Sequence, residues 1–485
     1  MVADRGDWSI SRQRIWGVPI PIFYCEECGK ELVTDESVRA VSDLFRREGS
    51  DAWYTHEASE ILLAGTKCPE CGAGRFRKEK DIMDVWFDSG SSHAAVLETR
   101  EELRWPAGIY LEGSDQHRGW FQSSLLTAVA TRGKAPYRAV LTHGFVVDGE
   151  GRKMSKSLGN VIYPEKVIKE YGADILRLWV ASADYKGDIR VSPDILKQLA
   201  EVYRKIRNTA RFLLGNLDDF DPSRDRARYE DLPEIDRWAL HQLQRLIQRV
   251  TKAYDTYEYH LLYHAIHNFC TIDLSSFYLD VLKDRLYTSG TDSQERRAAQ
   301  TVLYDAAVAL VKLIAPVLTF TSEEIWGYLP RSEAEPWSVQ LSFWPEVNER
   351  YLDEELEKRW DVLLQVRSLV SKALEKARAD KLVGNSLEAA VEVYATPEAG
   401  KLLREYLNDL PAIFIVSQVE LFEGTDVAPP LNFTGDNVED VQVVVKKAAG
   451  AKCERCWTYS PEVGGNEDHP TLCNRCAAVV RKECP

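Results

Sequence analysis

Four Cys-x-x-Cys pairs constrain the fold of this chain more strongly than any other feature of its sequence. Two pairs lie near the start, at 25–28 and 68–71, and two lie near the end, at 453–456 and 473–476. The opening residues lack the apolar stretch of a signal peptide, so we expect a reducing compartment, where such pairs bind zinc rather than form disulfides. Each set of four thiolates suits one tetrahedral structural zinc. The predicted ligands are Cys25, Cys28, Cys68 and Cys71 for one ion and Cys453, Cys456, Cys473 and Cys476 for the other.

The two predicted zinc sites differ in the spacing of their pairs. Sixteen residues separate the C-terminal pairs, which is within the range of zinc ribbons. Thirty-nine residues separate the N-terminal pairs, so we expect these residues to form an excursion of their own. Non-ligand cysteines remain the alternative for the N-terminal set. Outside the pairs, Cys270 has the helical, apolar context of a core residue, and Cys484 lies close to the end of the sequence.

The composition limits the partners of the protein. Lys and Arg number 61 against 76 Asp and Glu, which gives a net charge of −15. Such an acidic protein does not coat nucleic acid non-specifically, so any RNA contact must come from local basic patches. The sequence has no run of about 18 apolar residues, which predicts no membrane span and a soluble, cytoplasmic protein. With 485 residues, the chain has room for three or four domains of about 150 residues each.

Two basic patches could contact an RNA backbone. The first lies on a helix predicted over 203–214, whose cations fall on one side and whose apolar residues fall on the other. The second is the C-terminal cysteine set, in which each Cys-x-x-Cys pair encloses an arginine. Solvated cations on an ordinary surface helix remain an equal alternative for the first patch. The candidate RNA-binding residues are Arg204, Lys205, Arg207, Arg211, Arg455 and Arg475.

A β-α-β unit is predicted between residues 109 and 141. Strand patterns cover 109–111 and 137–141, and a helical pattern covers 118–131. Ligand groups in such a unit lie just beyond the carboxyl ends of the strands. Those places hold Glu-Gly-Ser-Asp-Gln-His at 112–117 and Thr-His-Gly at 142–144. Helix capping is the alternative role for Asp115.

A lysine-rich segment follows this unit. The Asp148-Gly149 pair predicts a hairpin turn, which leads into Gly-Arg-Lys-Met-Ser-Lys-Ser-Leu-Gly-Asn at 151–160. Lysines supply point charge and glycines supply backbone freedom, as in a mobile loop that closes over a polyphosphate. A solvated basic turn is the alternative interpretation.

The rest of the sequence is predominantly helical. A helix over 171–180 and a short strand over 189–191 come first. Apolar periodicity then predicts helices over 203–214, 238–250, 254–286, 295–313 and 323–328, which together suggest a helical bundle. A charged helix over 353–379 and strands over 387–394 and 441–445 suggest a small α/β junction domain. The His and Tyr residues between 257 and 267 lack the supporting set of acids or cysteines that a metal site needs, so we assign them to the core and surface of the bundle.

Three stretches resemble the class I aminoacyl-tRNA synthetases. Residues 153–157, Lys-Met-Ser-Lys-Ser, match their lysine signature loop letter for letter. Residues 7–21 resemble the segment with which isoleucyl and valyl enzymes return from their inserted domains to the catalytic core. The terminal C-x2-C-x16-C-x2-C element favours isoleucyl over valyl or leucyl members. Nearly the whole chain resembles the C-terminal half of a bacterial isoleucyl-tRNA synthetase.

The resemblance implies a multidomain fold. The second half of a class I Rossmann-type α/β catalytic domain would be followed by an all-α anticodon-binding bundle, a small α/β junction and a C-terminal zinc finger. The implied segments are a return segment into the catalytic core at 1–24, a zinc-knuckle insertion at 25–80, the half catalytic domain at 81–195, the anticodon-binding domain at 196–348, the junction at 349–449 and the zinc finger at 450–485.

The resemblance also implies roles for individual residues. The aminoacyl-adenylate would be bound by Glu112, Gly113, Asp115 and Gln116, with His143 beside it. The isoleucine side chain would lie between Trp86 and Trp120. The ATP phosphates would be bound by the catalytic lysines Lys153 and Lys156 and by Ser155. The implied substrates and partners are ATP with Mg²⁺, L-isoleucine and isoleucine tRNA, and the implied resident metal is Zn²⁺.

The resemblance is partial in one respect. The sequence contains no His-Ile-Gly-His signature, no first half of the nucleotide-binding fold and no editing domain. We therefore expect isoleucine–tRNA ligase activity only when the missing N-terminal half is supplied in trans. The alternatives are a non-catalytic tRNA-binding module derived from a synthetase and a fragment of a valyl-type synthetase. The intact lysine loop favours the catalytic interpretation, because a pure binding module has no need of it.

Overall fold

The computed structural model describes residues 4–331, 335–423, 433–435 and 438–483, so Cys484 lies outside the described residues. The chain divides into two compact units. Unit 1 comprises residues 1–146 and 185–189, and unit 2 comprises residues 147–184 and 190–485. Within the described ranges, none of the helices is both long enough and apolar enough to cross a membrane.

Unit 1 consists of short strands and helices. Its strands are β1 (Ser11–Arg12), β2 (Phe23–Cys25), β3 (Glu31–Leu32), β4 (Phe76–Lys78), β5 (Ile82–Met83), β6 (Ala107–Gly113) and β7 (Tyr137–His143). Its α-helices are α1 (Asp35–Glu48), α2 (Ala52–Thr55), α3 (Ala58–Ile61), α4 (Val85–Gly90) and α5 (Trp120–Arg132). A π-helical turn spans His93–Leu97, and a 3₁₀ helix spans Ser114–Arg118.

The residues between the two N-terminal cysteine pairs fold with the flanking strands β2 and β4 around a small apolar core. β2 pairs antiparallel with β3 on one side and with β4 on the other. Helix α1 begins with a side-chain cap, because Thr34 accepts a hydrogen bond from the backbone of Ser37. The buried core residues are Phe23, Leu32, Val41, Leu44, Ala52, Trp53, Ala58, Ile61 and Leu62.

The β-α-β unit predicted from the sequence is confirmed. β6 and β7 are parallel neighbours, and their register pairs Glu112 with Thr142 and Gly113 with His143. The helix begins at Trp120, two residues later than predicted, because Gly119 has a non-helical backbone with φ −115° and ψ −119°. The polar clusters that follow the two strands therefore start side by side at one edge of the sheet.

Unit 2 is mainly helical. Its helices are α6 (Pro164–Tyr171), α7 (Ala173–Ser182), α8 (Pro193–Gly215), α9 (Glu234–Asp255), α10 (Tyr259–Asn268), α11 (Leu279–Thr288), α12 (Gln294–Ile314), α13 (Thr319–Tyr328), α14 (Glu354–Ala379), α15 (Pro397–Glu405), α16 (Leu410–Phe414) and α17 (Asn474–Glu483). A π-helix, Phe269–Tyr278, joins α10 to α11. The remaining strands are β8 (Val146–Asp148), β9 (Ile189–Val191), β10 (Ala389–Ala395), β11 (Gln418–Glu423), β12 (Phe433–Gly435), β13 (Val438–Lys447), β14 (Ala451–Lys452) and β15 (Tyr459–Ser460).

Two helices predicted as continuous are interrupted. The prediction over 254–286 is wrong at its start, because α9 ends at Asp255 and a turn with Tyr257 at φ +57° precedes α10. A backbone hydrogen bond of 2.8 Å from Glu258 N to Ala253 O closes this turn. The prediction over 171–180 is also wrong at its start, because Gly172 at φ +92° separates α6 from α7.

The bundle and the junction share an aromatic core. The ring of Trp238 on α9 lies 5.1 Å from Phe277 and 5.7 Å from Trp360 of α14, measured between centroids, and all three side chains are buried. The junction sheet has the strand order β11-β10-β13-β12, in which β10 is parallel to β11 and antiparallel to β13. The predicted order of bundle, α/β junction and terminal cysteine element is confirmed, while the six segment boundaries stay a prediction.

Candidate active site and metal centres

The carboxyl ends of β6 and β7 bring Gly113, Asp115 and His143 together. A Cβ atom at Gly113 would lie 2.7 Å from Asp115 Oδ1 and 3.6 Å from His143 Cε1, so a larger residue there would displace the Asp115 side chain. Glu112 and Asp115 are exposed, and Gly113 is buried. This edge therefore presents two carboxylates and an imidazole, which can accept hydrogen bonds from ribose hydroxyls and from an ammonium group.

Gln116 fixes the start of α5. Its Oε1 accepts a 2.9 Å hydrogen bond from Trp120 N, and its Nε2 donates to Asp115 Oδ2 at 3.2 Å. The first amide of the helix is thus satisfied by Gln116 and not by Asp115, which argues against helix capping as the role of Asp115. The predicted adenylate-binding role of both residues stays a prediction.

The two tryptophans predicted to line an amino-acid pocket differ in how firmly they are held. Trp120 stacks on Tyr110, with ring centroids 4.1 Å apart and planes 4° from parallel, and its Nε1 donates to Ser89 O at 3.0 Å. Trp86 is 43% exposed, and its ring lies 3.0 Å from where a Cβ at Gly119 would be. The Trp120 ring is thus held in place by stacking and a hydrogen bond, whereas the Trp86 ring is accessible to solvent. Their role in lining an amino-acid pocket stays a prediction.

Asp84 is a structural anchor that the sequence did not reveal. This buried carboxylate accepts from Trp8 Nε1 at 2.9 Å, from Arg12 at 2.6 Å and from Trp86 N at 3.1 Å. Burial, together with the charge of Asp84, raises the pKa of the neighbouring Asp88. Since its partners Trp8 and Arg12 are more than 70 residues away in sequence, local patterns gave no signal for this contact.

Lys153 and Lys156 are exposed on the lysine loop, residues 151–160, in unit 2. The predicted hairpin turn is confirmed, since Val147 and Lys153 form an antiparallel bridge and Gly151 adopts φ +83°. Ser155 is half-buried at the base of the loop. Two ammonium groups therefore extend into solvent from a folded base, an arrangement that suits contact with phosphate oxygens.

The N-terminal cysteine set has the geometry of a tetrahedral metal site. The Sγ atoms of Cys25 and Cys71 are 3.6 Å apart, as are those of Cys28 and Cys68, and all four lie within 4.8 Å of one another. Tetrahedral zinc with Zn–S bonds of about 2.3 Å places its sulfurs about 3.8 Å apart, so the set fits this ion.

The C-terminal cysteine set also fits zinc. All four cysteines are buried and their Sγ atoms lie within 4.8 Å of one another, with Cys456 and Cys473 3.8 Å apart. Cys473 N donates to Cys453 Sγ at 3.4 Å. The last pair lies at the start of α17, so the helix and the β14–β15 hairpin converge on the four sulfurs.

On α8, two of the predicted RNA-binding cations are engaged within the chain. Arg204 pairs with Glu201 one turn away, and Arg207 makes two hydrogen bonds of 2.7 Å to Glu324 of α13. The other two are exposed on the same helix, namely Lys205 and Arg211. The role of these four cations in RNA binding stays a prediction.

The two arginines of the C-terminal cysteine pairs contact α11. Arg455 donates to the carbonyl oxygen of Thr288, and Arg475 donates to both carboxylate oxygens of Asp284, with the Nη2–Oδ1 distance at 2.7 Å. These contacts attach the terminal element to the bundle. The role of both arginines in RNA binding stays a prediction. Each arginine would have to bind RNA while it keeps its contact with α11.

The sequence matches three known families in succession. Residues 1–192 match the family of tRNA synthetases class I (I, L, M and V). Residues 236–394 match the anticodon-binding domain of tRNA ligases, and residues 450–479 match a zinc finger found in FPG and IleRS. The order of the matches follows the predicted order of catalytic part, bundle with junction, and zinc finger, and the predicted fold class is confirmed.

Curated relatives match along the whole chain. The isoleucine–tRNA ligase of Caldanaerobacter subterraneus subsp. tengcongensis is 60% identical over 100% of this chain and 52% of its own length. That of Carboxydothermus hydrogenoformans is 62% identical over 99% of this chain and 52% of its own length. The chain therefore spans about half the length of the curated relatives it matches.

A solved structure supports the fold. The leucyl-tRNA synthetase of Agrobacterium radiobacter, solved as a ternary complex with tRNA and LeuAMS, matches 80% of this chain and 44% of its own, with 23% identity and a TM-score of 0.52. The three family matches and the relatives lead to the same assignment. The chain belongs to the class I aminoacyl-tRNA synthetases and corresponds to the C-terminal half of the isoleucine-specific members.

Proposed function

We propose that the chain supplies one half of the active site and the tRNA-binding part of an isoleucine–tRNA ligase. In this reaction the carboxylate of isoleucine attacks the α-phosphorus of ATP, the bond to the bridging oxygen breaks, and pyrophosphate leaves with the electron pair. A terminal ribose hydroxyl of tRNA then attacks the aminoacyl carbonyl and loses its proton as AMP leaves. The observation that carries the proposal is the exposed lysine loop on a folded base, in a chain about 60% identical to isoleucine–tRNA ligases.

Catalysis in this proposal rests on positioning and on charge stabilisation, since phosphoryl chemistry asks little covalent work of the protein. ATP enters with Mg²⁺ as the substrate complex. The phosphates are bound by Lys156, Lys153 and Ser155. The adenylate is held by Glu112, Gly113, Asp115 and Gln116, with His143 beside it. The isoleucine side chain contacts Trp86 and Trp120.

The exposed apolar side chains of β6 and β7 support the catalytic interpretation, because they leave a surface for a further part of the catalytic domain to cover. Parallel sheets are stable when both faces are covered, yet Leu111 on β6 is 54% exposed and Val140 on β7 is 38% exposed. We infer that the first half of the nucleotide-binding fold covers these strands and supplies the remaining catalytic groups.

Zinc and tRNA complete the proposed function. The C-terminal set binds one structural Zn²⁺, and the N-terminal set binds a second, which ties β2 to the turn that precedes β4. The anticodon-binding bundle and the zinc finger bind isoleucine tRNA in the cytoplasm. A zinc finger of the isoleucyl type favours this specificity over the valyl alternative. The intact lysine loop argues against a module that only binds tRNA.

ATP–pyrophosphate exchange tests the proposal directly. The purified chain is combined with the separately expressed N-terminal half of the Carboxydothermus hydrogenoformans relative, and exchange is measured with isoleucine, valine or leucine. We expect exchange that prefers isoleucine. Lys156→Ala should lower the rate by about 10² to 10³, the scale for one preorganised charge contact. Lys169→Ala, which removes an exposed lysine of α6, is the matched control and should leave the rate unchanged.

Two outcomes would contradict the proposal. A mixture in which the two halves associate but show no amino-acid-dependent exchange would refute the catalytic assignment. Exchange that prefers valine would support the valyl alternative.

A further inference from the structure

The base of the lysine loop is closed by two side chains to which the proposed function gives no role. Asp148 is the last residue of β8, and Asn160 is the last residue of the loop. Asn160 Nδ2 donates to Asp148 Oδ2 at 2.9 Å. This contact, here called the latch, joins the strand before the loop to the point where the loop ends.

Asn160 also holds the loop backbone from inside. Its Oδ1 accepts a 2.9 Å hydrogen bond from Ser155 N, and its Nδ2 lies 3.3 Å from Lys153 O, to which it donates. One amide side chain therefore fixes a carbonyl and an N–H on both sides of Met154. Alanine at position 160 would lose all three contacts, and aspartate would lose the two that Nδ2 donates.

Asp148 provides the fixed end of the latch. Its carboxylate accepts from Glu150 N at 3.0 Å, from Arg152 N at 2.8 Å and from Arg152 Nε at 2.9 Å, in addition to Asn160. The side chain is only 10% exposed. The hydrogen bonds from Asn160 and Arg152 hold the pKa of Asp148 well below its usual range, so the carboxylate is ionised and can accept from all these donors.

The tip of the loop lies beyond these contacts. Lys156 is exposed, Leu158 is 64% exposed, and Gly159 at φ +66° turns the chain back towards Asn160. The tip keeps its own turn, since Leu158 N donates to Ser155 Oγ at 3.2 Å. The latch thus separates a fixed base from an exposed turn that carries Lys156.

We propose that Asp148 and Asn160 are positioning residues that hold the backbone of the lysine loop in one shape before substrate binds. A preformed base leaves less conformational freedom to be lost when Lys156 meets the phosphates, so more of the contact energy stabilises the transition state. The kinetic part of this inference rests on the proposed function. The structural part does not.

Hydrogen exchange of the 485-residue chain tests the structural part. We expect amides in 153–157 to exchange about tenfold faster in Asn160→Ala and in Asp148→Asn, the scale for losing a hydrogen bond to a charged group. Asn160→Asp keeps the shape but places a second carboxylate against Asp148, and it should loosen the loop at least as much as alanine does. The double variant D148N/N160D restores a donor and an acceptor in reversed order and should exchange more slowly than N160D alone.

Asn208→Ala on the exposed side of α8 is the matched control and should leave exchange in 153–157 unchanged. The inference would be overturned if the amides of residues 153–157 exchanged at the wild-type rate in N160A. It would also be overturned if they exchanged no more slowly in D148N/N160D than in N160D. Unchanged exchange outside 146–160 shows that the variants are folded.

Pyrophosphate exchange with the N-terminal half added tests the kinetic part. N160A should lower kcat about tenfold and leave the KM for isoleucine unchanged, because the latch acts on the phosphate-binding loop. A loosened loop with unchanged kcat would overturn the positioning role while leaving the proposed function intact. If the wild-type mixture is inactive but N160A loosens the loop, the proposed function fails and the latch stands as a purely structural device.

Discussion

Replacing Arg475 or Asp284 with alanine should weaken the attachment of the zinc finger to the bundle without unfolding either. The two side chains form a bidentate pair between the last Cys-x-x-Cys pair and α11, 191 residues apart in sequence. A second contact, from Arg455 to Thr288 O, supports the same attachment. The finger is therefore held by contacts that originate between its own metal ligands.

The expected size of the effect follows from exposure. The Arg475 side chain is 53% exposed and that of Asp284 is 37% exposed, so solvent screens the pair. Pairs of this kind contribute about 0.2 to 1 kcal/mol, and the bidentate geometry places this one near the upper end. A loss of about 0.5 to 1 kcal/mol corresponds to a two- to fivefold rise in the undocked fraction.

The rate of zinc transfer to a chromogenic chelator measures this fraction, provided that undocking exposes the C-terminal thiolates. Arg475→Ala and Asp284→Ala should each speed transfer from this site two- to fivefold, and the double variant should be no faster, since both remove the same contact. Arg481→Ala is the matched control, because Arg481 pairs with Asp468 inside the finger and should not affect docking. Additive effects of the two substitutions, or wild-type rates in both, would refute the docking role.

Three further predictions test other parts of the molecule. Metal analysis should find two zinc ions per wild-type chain and one zinc ion per chain of the Cys28→Ser variant. Two zinc ions in this variant would show that the N-terminal cysteine set does not bind zinc. Burial raises the pKa of Asp273 to about 6, so ionisation of this carboxyl destabilises the bundle as the pH rises from about 4 to 6. Asp273→Asn removes the charge and should add about 1 to 2 kcal/mol to the free energy of unfolding at pH 7.5. Below about pH 4 the substitution should have no effect, as measured by urea titration. Arg211→Ala should lower the slope of log K for tRNA binding against log salt concentration by about 0.7 to 0.9. Arg228→Ala, which removes an arginine already paired with Asp231, should leave this slope unchanged. Equal slopes in the two variants would show that Arg211 does not contact tRNA.

Short-range patterns were sufficient to predict much of this fold. Strand alternation and helical periodicity located β6, α5 and β7, because residues a few positions apart decide which face is buried. Cysteine spacing grouped the eight paired cysteines into the two sets of four whose Sγ atoms lie within 4.8 Å of one another in the structure. The hairpin before the lysine loop followed from a single dipeptide, Asp148-Gly149.

Contacts between distant residues could not be predicted in this way. The break at Tyr257 places a non-glycine residue at positive φ, a conformation that tertiary packing imposes and sequence alone rarely signals. The anchoring of Trp8 and Arg12 on Asp84 and the pairing of Arg475 with Asp284 join residues that no local pattern relates. In the candidate site, the sequence carried no signal for whether Gln116 or Asp115 accepts a hydrogen bond from the first amide of α5, because that depends on geometry.

The aromatic core shared by α9, the π-helix and α14 bears on how this half of the protein can be divided. Trp360 belongs by sequence to the junction, yet it is buried against Trp238 and Phe277 of the bundle. A cut between residues 348 and 349 would remove one wall of that core and leave the other two rings facing water. The bundle and the junction should therefore be expressed and engineered as a single unit. A chimaera that exchanged one of them without the other would contain an unfilled cavity in this core.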